Sequence, residues 1–145
     1  MQRAAAALAR REHSRAELKR KLVRTPAPEE SERDIDAALD ALAAKGMLSE
    51  ARFVAARVRA RGERYGAARI RRELQQHELD PALVRDALAP LAGSEFERAL
   101  AIWQRRFGTA AADAGERARQ ARFLSARGFS TEVVLRVLRQ SRQDG

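Results

Sequence analysis

Two pairs of leucines constrain the architecture more than any other feature. Leu74 and Leu88 are fourteen residues apart, and so are Leu124 and Leu138, each fifty residues after its counterpart. Leu79-Asp80 and Phe129-Ser130 fall at matching offsets. An earlier pair, Leu22 and Leu39, is seventeen apart, and the loop Thr25–Pro28 holds the extra three residues. Net charge alternates with a similar period: +6 over residues 1–25, −5 over 26–50, +6 over 51–75, −3 over 76–100, then +3 and +2. A period of this size marks tandem units, each too small to close a core unaided. Of 65 apolar residues 31 are alanine, which leaves 34 larger side chains spread along 145 positions. That supply suits several thin cores better than one deep core.

Each unit reads as three helices. Ser14–Glu17 has the form of a capping box, with Leu18 and Leu22 one turn apart behind it. The segment Thr25–Pro28 stops this helix, because the residue before a proline is driven out of helical geometry. Ser31 or a neighbour starts the next helix, where Ile35, Leu39 and Leu42 form a buried stripe. Glu29, Glu30, Glu32, Asp34 and Asp36 crowd its first turns, where the helix dipole favours anions. Gly46 ends it by entering the left-handed conformation. Ser49 caps a helix with Val54 and Val58 inward and Phe53 and Ala55 widening the face, and Gly62 closes it. After Tyr65-Gly66 come Ala67, Ile70 and Leu74, inward on a short helix. Asp80-Pro81 supplies an N-cap and a first helical position, with Leu83, Val84, Ala87 and Leu88 buried behind it. Ser94–Glu97 is a second capping-box pattern, followed by the stripe Phe96, Leu100, Trp103 and Phe107, assigned to the core. Asp113–Arg127 and a helix capped by Ser130, with Val133, Val134, Val137 and Leu138 inward, complete the chain. Period-two alternation is nowhere sustained, so no strand is predicted. The expected fold is all-α: three tandem three-helix, helix-turn-helix-like repeats over 1–47, 48–92 and 93–145, packed end to end in an elongated, curved arrangement.

Chemistry is scarce. The chain has no cysteine, hence no disulfide and no thiolate metal site. No apolar run approaches the roughly 20 residues of a membrane span. The six-residue apolar run after Arg3 is closed by Arg10-Arg11, which fails as a signal peptide. A cytoplasmic protein is expected. His13 and His77 sit in different units and read as structural or exposed, with His77 near a helix end that favours a cation. The carboxylates Glu29 to Asp34 read as a solvated helix start, not a metal site. No nucleophile–base pair, phosphate loop or metal motif is present. The expectation is a non-enzyme without cofactor or metal.

Net charge is +9, carried by 26 arginines and 3 lysines, which points to a polyanionic partner or a partner that holds one. Eight of the arginines fall between Lys45 and Leu74. Arg57, Arg61 and Arg64 recur at helical spacing, Arg69 and Arg72 point outward from the next helix, and Lys19, Arg20, Lys21 and Arg24 cluster earlier. These nine are the candidate protein- or DNA-binding residues. A helix-turn-helix DNA reader carries its contacts on the last helix. Here the last helix of the first two units is acidic, which argues against base readout. Sequence-blind phosphate contact is the remaining mode on DNA, and few exposed aromatics are available for stacking bases.

Three ordered blocks resemble the RecX regulators of the bacterial RecA recombinase. They are Leu8–Leu22, with RREHSR and the KL that follows; Gly46-Met47-Leu48-Ser49-Glu50-Ala51-Arg52-Phe53 with Gly66-Ala67-Ala68-Arg69-Ile70-Arg71-Arg72-Glu73-Leu74; and Phe123-Leu124-Ser125-Ala126-Arg127-Gly128-Phe129. Met47 stands where the family usually has an aromatic, Ser49 where it often has Asp, and Val54 where a small residue is usual. A serine cap does the aspartate's local work. The resemblance covers nearly the whole chain. It implies a monomeric, non-catalytic modulator that binds the RecA filament on single-stranded DNA. Such a modulator lies in the filament groove and inhibits strand exchange, ATP hydrolysis and the co-protease activity of the SOS response, with weak direct DNA binding at most. The alternative reading is a sequence-independent DNA-binding protein that competes for DNA.

Overall fold

A computed structural model describes residues 1–25, 27 and 29–144. Among these residues the chain is helical throughout, with no strand. The helices are α1 (Gln2–Arg10), α2 (Arg15–Arg24), α3 (Glu32–Ala44), α4 (Glu50–Gly62), α5 (Ala67–Leu74), α6 (Pro81–Leu88), α7 (Glu95–Arg106), α8 (Ala114–Ala126) and α9 (Thr131–Asp144). Short 3-10 segments, Gln75–His77 and Ala89–Ser94, follow α5 and α6.

Three separate apolar clusters divide the helices into threes. Ala4, Leu18, Leu22, Ile35, Leu39, Leu42 and Leu48 close the first. Phe53, Val54, Ile70, Leu74 and Leu88 close the second. Ala99, Ile102, Trp103, Leu124, Phe129, Val134, Val137 and Leu138 close the third. All six leucines of the repeat register are buried, and each pair bridges the last two helices of its unit. The exposed surface is 9060 Å² for 16.2 kDa, whereas a compact fold of that mass shows about 7,400 Å². The excess is that of small units in series.

Local signals set the boundaries. Ser31 and Asp34 make a reciprocal capping box, and Ser49, Asp80, Asp113 and Ser130 each accept a backbone N–H at a helix start. Gly46, Gly108 and Gly128 adopt positive φ after their helices. Four local expectations change. Ser14 accepts from the Glu17 amide, but the Glu17 carboxylate turns to Arg11, so only half of that box forms. Ser94 caps nothing: a 3-10 segment runs straight into α7, and its hydroxyl instead donates to the Leu91 carbonyl and accepts from Arg98. Ala55 is exposed while Phe53 goes fully inside, because the apolar face of α4 turns toward α6. Glu29 and Glu30 precede α3, which begins at Glu32. The helix stop assigned to Thr25–Pro28 rests on Pro26 and Pro28, which lie outside the described residues.

Candidate binding surface

The basic stripe of α4 and α5 meets the third unit at Tyr65. The Arg61, Arg69 and Arg127 guanidinium carbons stand 4.3, 4.0 and 5.3 Å from the Tyr65 ring centroid. Glu73 takes Arg61 in a two-pronged pair, Nε to Oε2 at 3.1 Å and Nη2 to Oε1 at 2.6 Å, with Arg69 Nε 3.7 Å away. The hydrogen bond from Arg61 holds the Glu73 carboxyl below its usual range. Arg69 also donates to the Ala126 carbonyl, and Arg127 to the Arg64 carbonyl. These arginines tie α4, α5 and the end of α8 together.

The close approach behind them depends on two glycines. The Gly66 amide donates to the Arg127 carbonyl at 2.8 Å. A Cβ on Gly66 would collide with the Gly128 carbonyl and stand 2.7 Å from the Phe129 nitrogen; one on Gly128 would stand 2.7 Å from the Arg69 nitrogen. Arg98 reaches in from α7 to the carbonyls of Gly62, Tyr65 and Leu91. Burial pulls its pKa down.

The nine sequence-chosen cations therefore do not form one patch. Arg61 and Arg69 are engaged internally. Lys19 is held between Glu32 (3.1 Å) and Asp36 (3.0 Å) of α3. Among the described residues, no ion pair engages Arg20, Lys21, Arg24, Arg57, Arg64 or Arg72. Arg57 lies over Phe53, 5.3 Å from the ring centroid, at the edge of a shallow hollow shared with Arg11 and Arg61. Arg64 and Arg72 are exposed, and Arg72 lines a hollow with Arg69, Glu73 and Ala126 beside the Tyr65 cluster.

The first joint, between units one and two, is built from residues that the sequence left apart. His13 and Ser14 are buried beside α2, and His77 reaches them from the end of α5. Ser14 accepts from the Glu17 amide and shares a hydrogen bond with His77 Nδ1 at 2.6 Å. Burial lowers the His77 pKa; Glu17 opposes this, and Arg57, Arg20 and Arg11 add to it. The expectation of a cation at this helix end is thus reversed, because the ring is enclosed against Phe53, 4.6 Å between centroids. The Arg15 amide donates to Glu50, whose pKa burial raises. His13 Nε2 and Glu50 Oε2 are buried without a hydrogen-bond partner among the described residues. Arg52 spans the joint to Glu12 at 2.9 Å.

Three of the acidic residues near α3 are engaged locally. Glu30 pairs with Arg3, Glu32 with Lys19, and Asp34 belongs to the capping box. Among the described residues, no group of three or more His, Cys, Asp or Glu could hold a metal ion, and no helix is long and apolar enough to cross a membrane.

Sequence reasoning missed Arg98, Arg127, Tyr65 and the Ser14–His77 bond. Arg127 stood inside the Phe123–Phe129 block and Tyr65 beside Gly66, so a signal existed for both. Arg98 and His77 carried no local signal, since their partners are carbonyls or hydroxyls distant in sequence.

Comparison with known proteins places this geometry. Residues 49–88 match the family description "RecX, second three-helix domain", and residues 94–138 match "RecX, third three-helix domain". A regulatory protein RecX of Leptothrix cholodnii is 54% identical over 133 residues, covering 91% of this chain and 82% of that protein. One of Ralstonia nicotianae is 49% identical over 137 residues, covering 94% and 84%. The crystal structure of RecX from Lactobacillus salivarius superposes with a TM-score of 0.79, covering 98% of this chain and 94% of that one; at 16% identity it speaks to fold alone.

Proposed function

The chain belongs to the RecX family of regulatory proteins, and from that premise we propose that it is a non-catalytic modulator of RecA. It lies in the groove of the RecA–DNA filament and restrains strand exchange, ATP hydrolysis and co-protease activity. The observation that carries this reading is two sets of arginines that no ion pair engages among the described residues, half-buried Arg57 with exposed Arg64 and Arg72 on unit two, and exposed Arg20 and Arg24 on unit one, on a body of small units in series. Fixed charge on an extended scaffold suits a long acidic groove. It speeds encounter and sets register more than it sets affinity. Arg61 and Arg69 stand beside Arg57 and Arg72 but are tied to Glu73 and the Ala126 carbonyl, Lys19 is held by Glu32 and Asp36, and Lys21 is exposed beside Arg20 and Arg24 on α2. The natural units of the assembly are residues 1–47, 48–92 and 93–145, acting as a monomer in the cytoplasm.

The second reading, sequence-independent DNA binding in competition with RecA, is weakened by the pinning of Arg61 and Arg69. Those side chains have surrendered donors that phosphates would need. The deciding experiment is RecA's DNA-dependent ATPase with and without the protein, beside a gel shift on DNA alone. Inhibition at low stoichiometry with weak DNA binding supports the filament reading. Inhibition only at concentrations that coat free DNA overturns it in favour of the competitor.

A further inference from the structure

Away from Tyr65 the surface carries two adjoining hollows with apolar floors. One, of about 470 Å³, lies between α5, the turn after it and the start of α6, with Leu74, Leu79, Pro81 and Val84 below and Arg71 and Arg85 at its sides. The other, of about 480 Å³, lies on α2, floored by Ala16 and Val23 and edged by Lys19, Arg20 and Arg24. Glu78 lines both, so they meet across the first joint. Val23 is 47% exposed, one of four large apolar residues left so open among those described.

The edges carry five cations against the single Glu78. Lys19 and Arg85 have acidic neighbours, Glu32 with Asp36 and Asp86, whereas no ion pair engages Arg20, Arg24 or Arg71 among the described residues. Glu78 is held at φ 51°, a conformation disfavoured for any residue but glycine. It places a carboxylate between the two cationic rims, where an incoming carboxylate would sit. No aromatic ring lines either hollow, so stacked bases find no platform here. Apolar floor and cationic rim together match the two faces of an amphipathic helix.

We propose that this trough docks an acidic amphipathic helix of a partner protein. Apolar side chains at i, i+3, i+4 and i+7 rest on Leu79, Val84 and Val23, and the flanking carboxylates reach Arg71 on one side and Arg20 and Arg24 on the other. This deepens the proposed function, resting on it only for the partner's identity. The surface is distinct from the Arg57–Arg64 face.

The test is fluorescence anisotropy of a labelled synthetic helix, leucine at those positions and glutamate elsewhere, titrated with the full chain. The expected result is saturable binding that weakens at least tenfold in Arg24→Glu/Arg71→Glu. Arg105→Glu/Arg139→Glu, with the same charge change on unit three, keeps wild-type affinity, and the peptide with lysine for glutamate does not bind. All four arginines are exposed and no ion pair engages them among the described residues, and circular dichroism checks that both variants fold. No saturable binding up to about a millimolar, equal weakening by both double variants, or equal binding of the lysine peptide overturns the proposal. RecA is absent from this assay, so its failure leaves the ATPase test standing, and the reverse also holds.

Discussion

Gly66→Ala tests whether units two and three are joined backbone to backbone. Gly66 has φ −78° and ψ 164°, which alanine adopts freely. By unfolded-state entropy alone the change would stabilise by about 0.4–1 kcal/mol. The structure reverses that sign. The new Cβ would occupy the place of the Gly128 carbonyl and stand 2.7 Å from the Phe129 nitrogen, both backbone atoms that cannot swing aside. Relief requires parting the joint, which breaks the Gly66 N–H to Arg127 carbonyl bond. A buried amide left unsatisfied costs about 1–3 kcal/mol, and overpacking about 1–3 kcal/mol more. We expect a net loss of about 2–4 kcal/mol, read by urea unfolding followed through circular dichroism and through Trp103, the single tryptophan, which reports on unit three. Gly62→Ala is the matched control: its Cβ would meet only the Leu91 Cδ2 at 3.6 Å, so helix propensity should stabilise it by up to about 1 kcal/mol. A Gly66→Ala protein as stable as wild type would refute the backbone joint.

Arg57→Glu/Arg64→Glu/Arg72→Glu should abolish inhibition of RecA's ATPase with circular dichroism unchanged, since no ion pair engages any of the three among the described residues; full inhibition by the folded triple variant removes this face from the interface. Arg61 is left alone there because a glutamate at 61 would face Glu73. His77, with its pKa depressed by burial, binds fewer protons folded than unfolded, so stability is whole above the ordinary histidine value near 6.5 and falls as pH drops below it. Urea midpoints at pH 7.5 and 5.5 should diverge for wild type and converge for His77→Gln; parallel curves would show that the ring does not govern this joint. Trp103→Phe strands the buried Gln120 oxygen that accepts the indole N–H at 2.9 Å, and should cost about 2 kcal/mol in the same unfolding assay; a neutral result would mean that the pair contributes nothing.

The repeat was legible because it is written in leucines. Leu74/Leu88 and Leu124/Leu138 are buried in each unit, and the spacing between them is fixed by the turn that separates two packed helices. Capping was legible where the cap's partner is three residues away, as at Ser31 and Ser49. It failed at Ser94 because a 3-10 segment fed the helix and no free first turn existed. The joints were not legible, since their bonds join a side chain in one unit to a carbonyl or hydroxyl in the next: Arg98 to Tyr65, Ser14 to His77. Periodicity reports which way a residue faces but not what faces it. For the same reason the arginine stripe read as a single surface, whereas Arg61 and Arg69 fold down on Tyr65 and Glu73 while Arg57 and Arg64 remain outside.

The excess of arginine over lysine then has a structural component that charge alone does not explain. Arg52, Arg69, Arg98 and Arg127 each reach a backbone carbonyl, and Arg61 grips Glu73 with two nitrogens. Arg98 is the sharpest case. Its Nη1 serves the Gly62 and Tyr65 carbonyls, its Nη2 the Leu91 carbonyl and its Nε the Ser94 hydroxyl, so one planar group joins α4, the turn before α5, the 3-10 segment and α7. A lysine ammonium keeps the charge but is a single point on a flexible stem and cannot span these acceptors at once. Burial, which already lowers the Arg98 pKa, would press harder on an amine of lower intrinsic pKa. Arg98→Lys should therefore lose about 1–3 kcal/mol although net charge is unchanged, with the deficit largest near neutrality and shrinking as pH rises toward the ordinary lysine value, because a buried amine of depressed pKa binds fewer protons folded than unfolded. If Arg98→Lys unfolds at the wild-type urea concentration from pH 7 to 9, the joint needs only a positive charge, and the fork geometry is not what holds units two and three together.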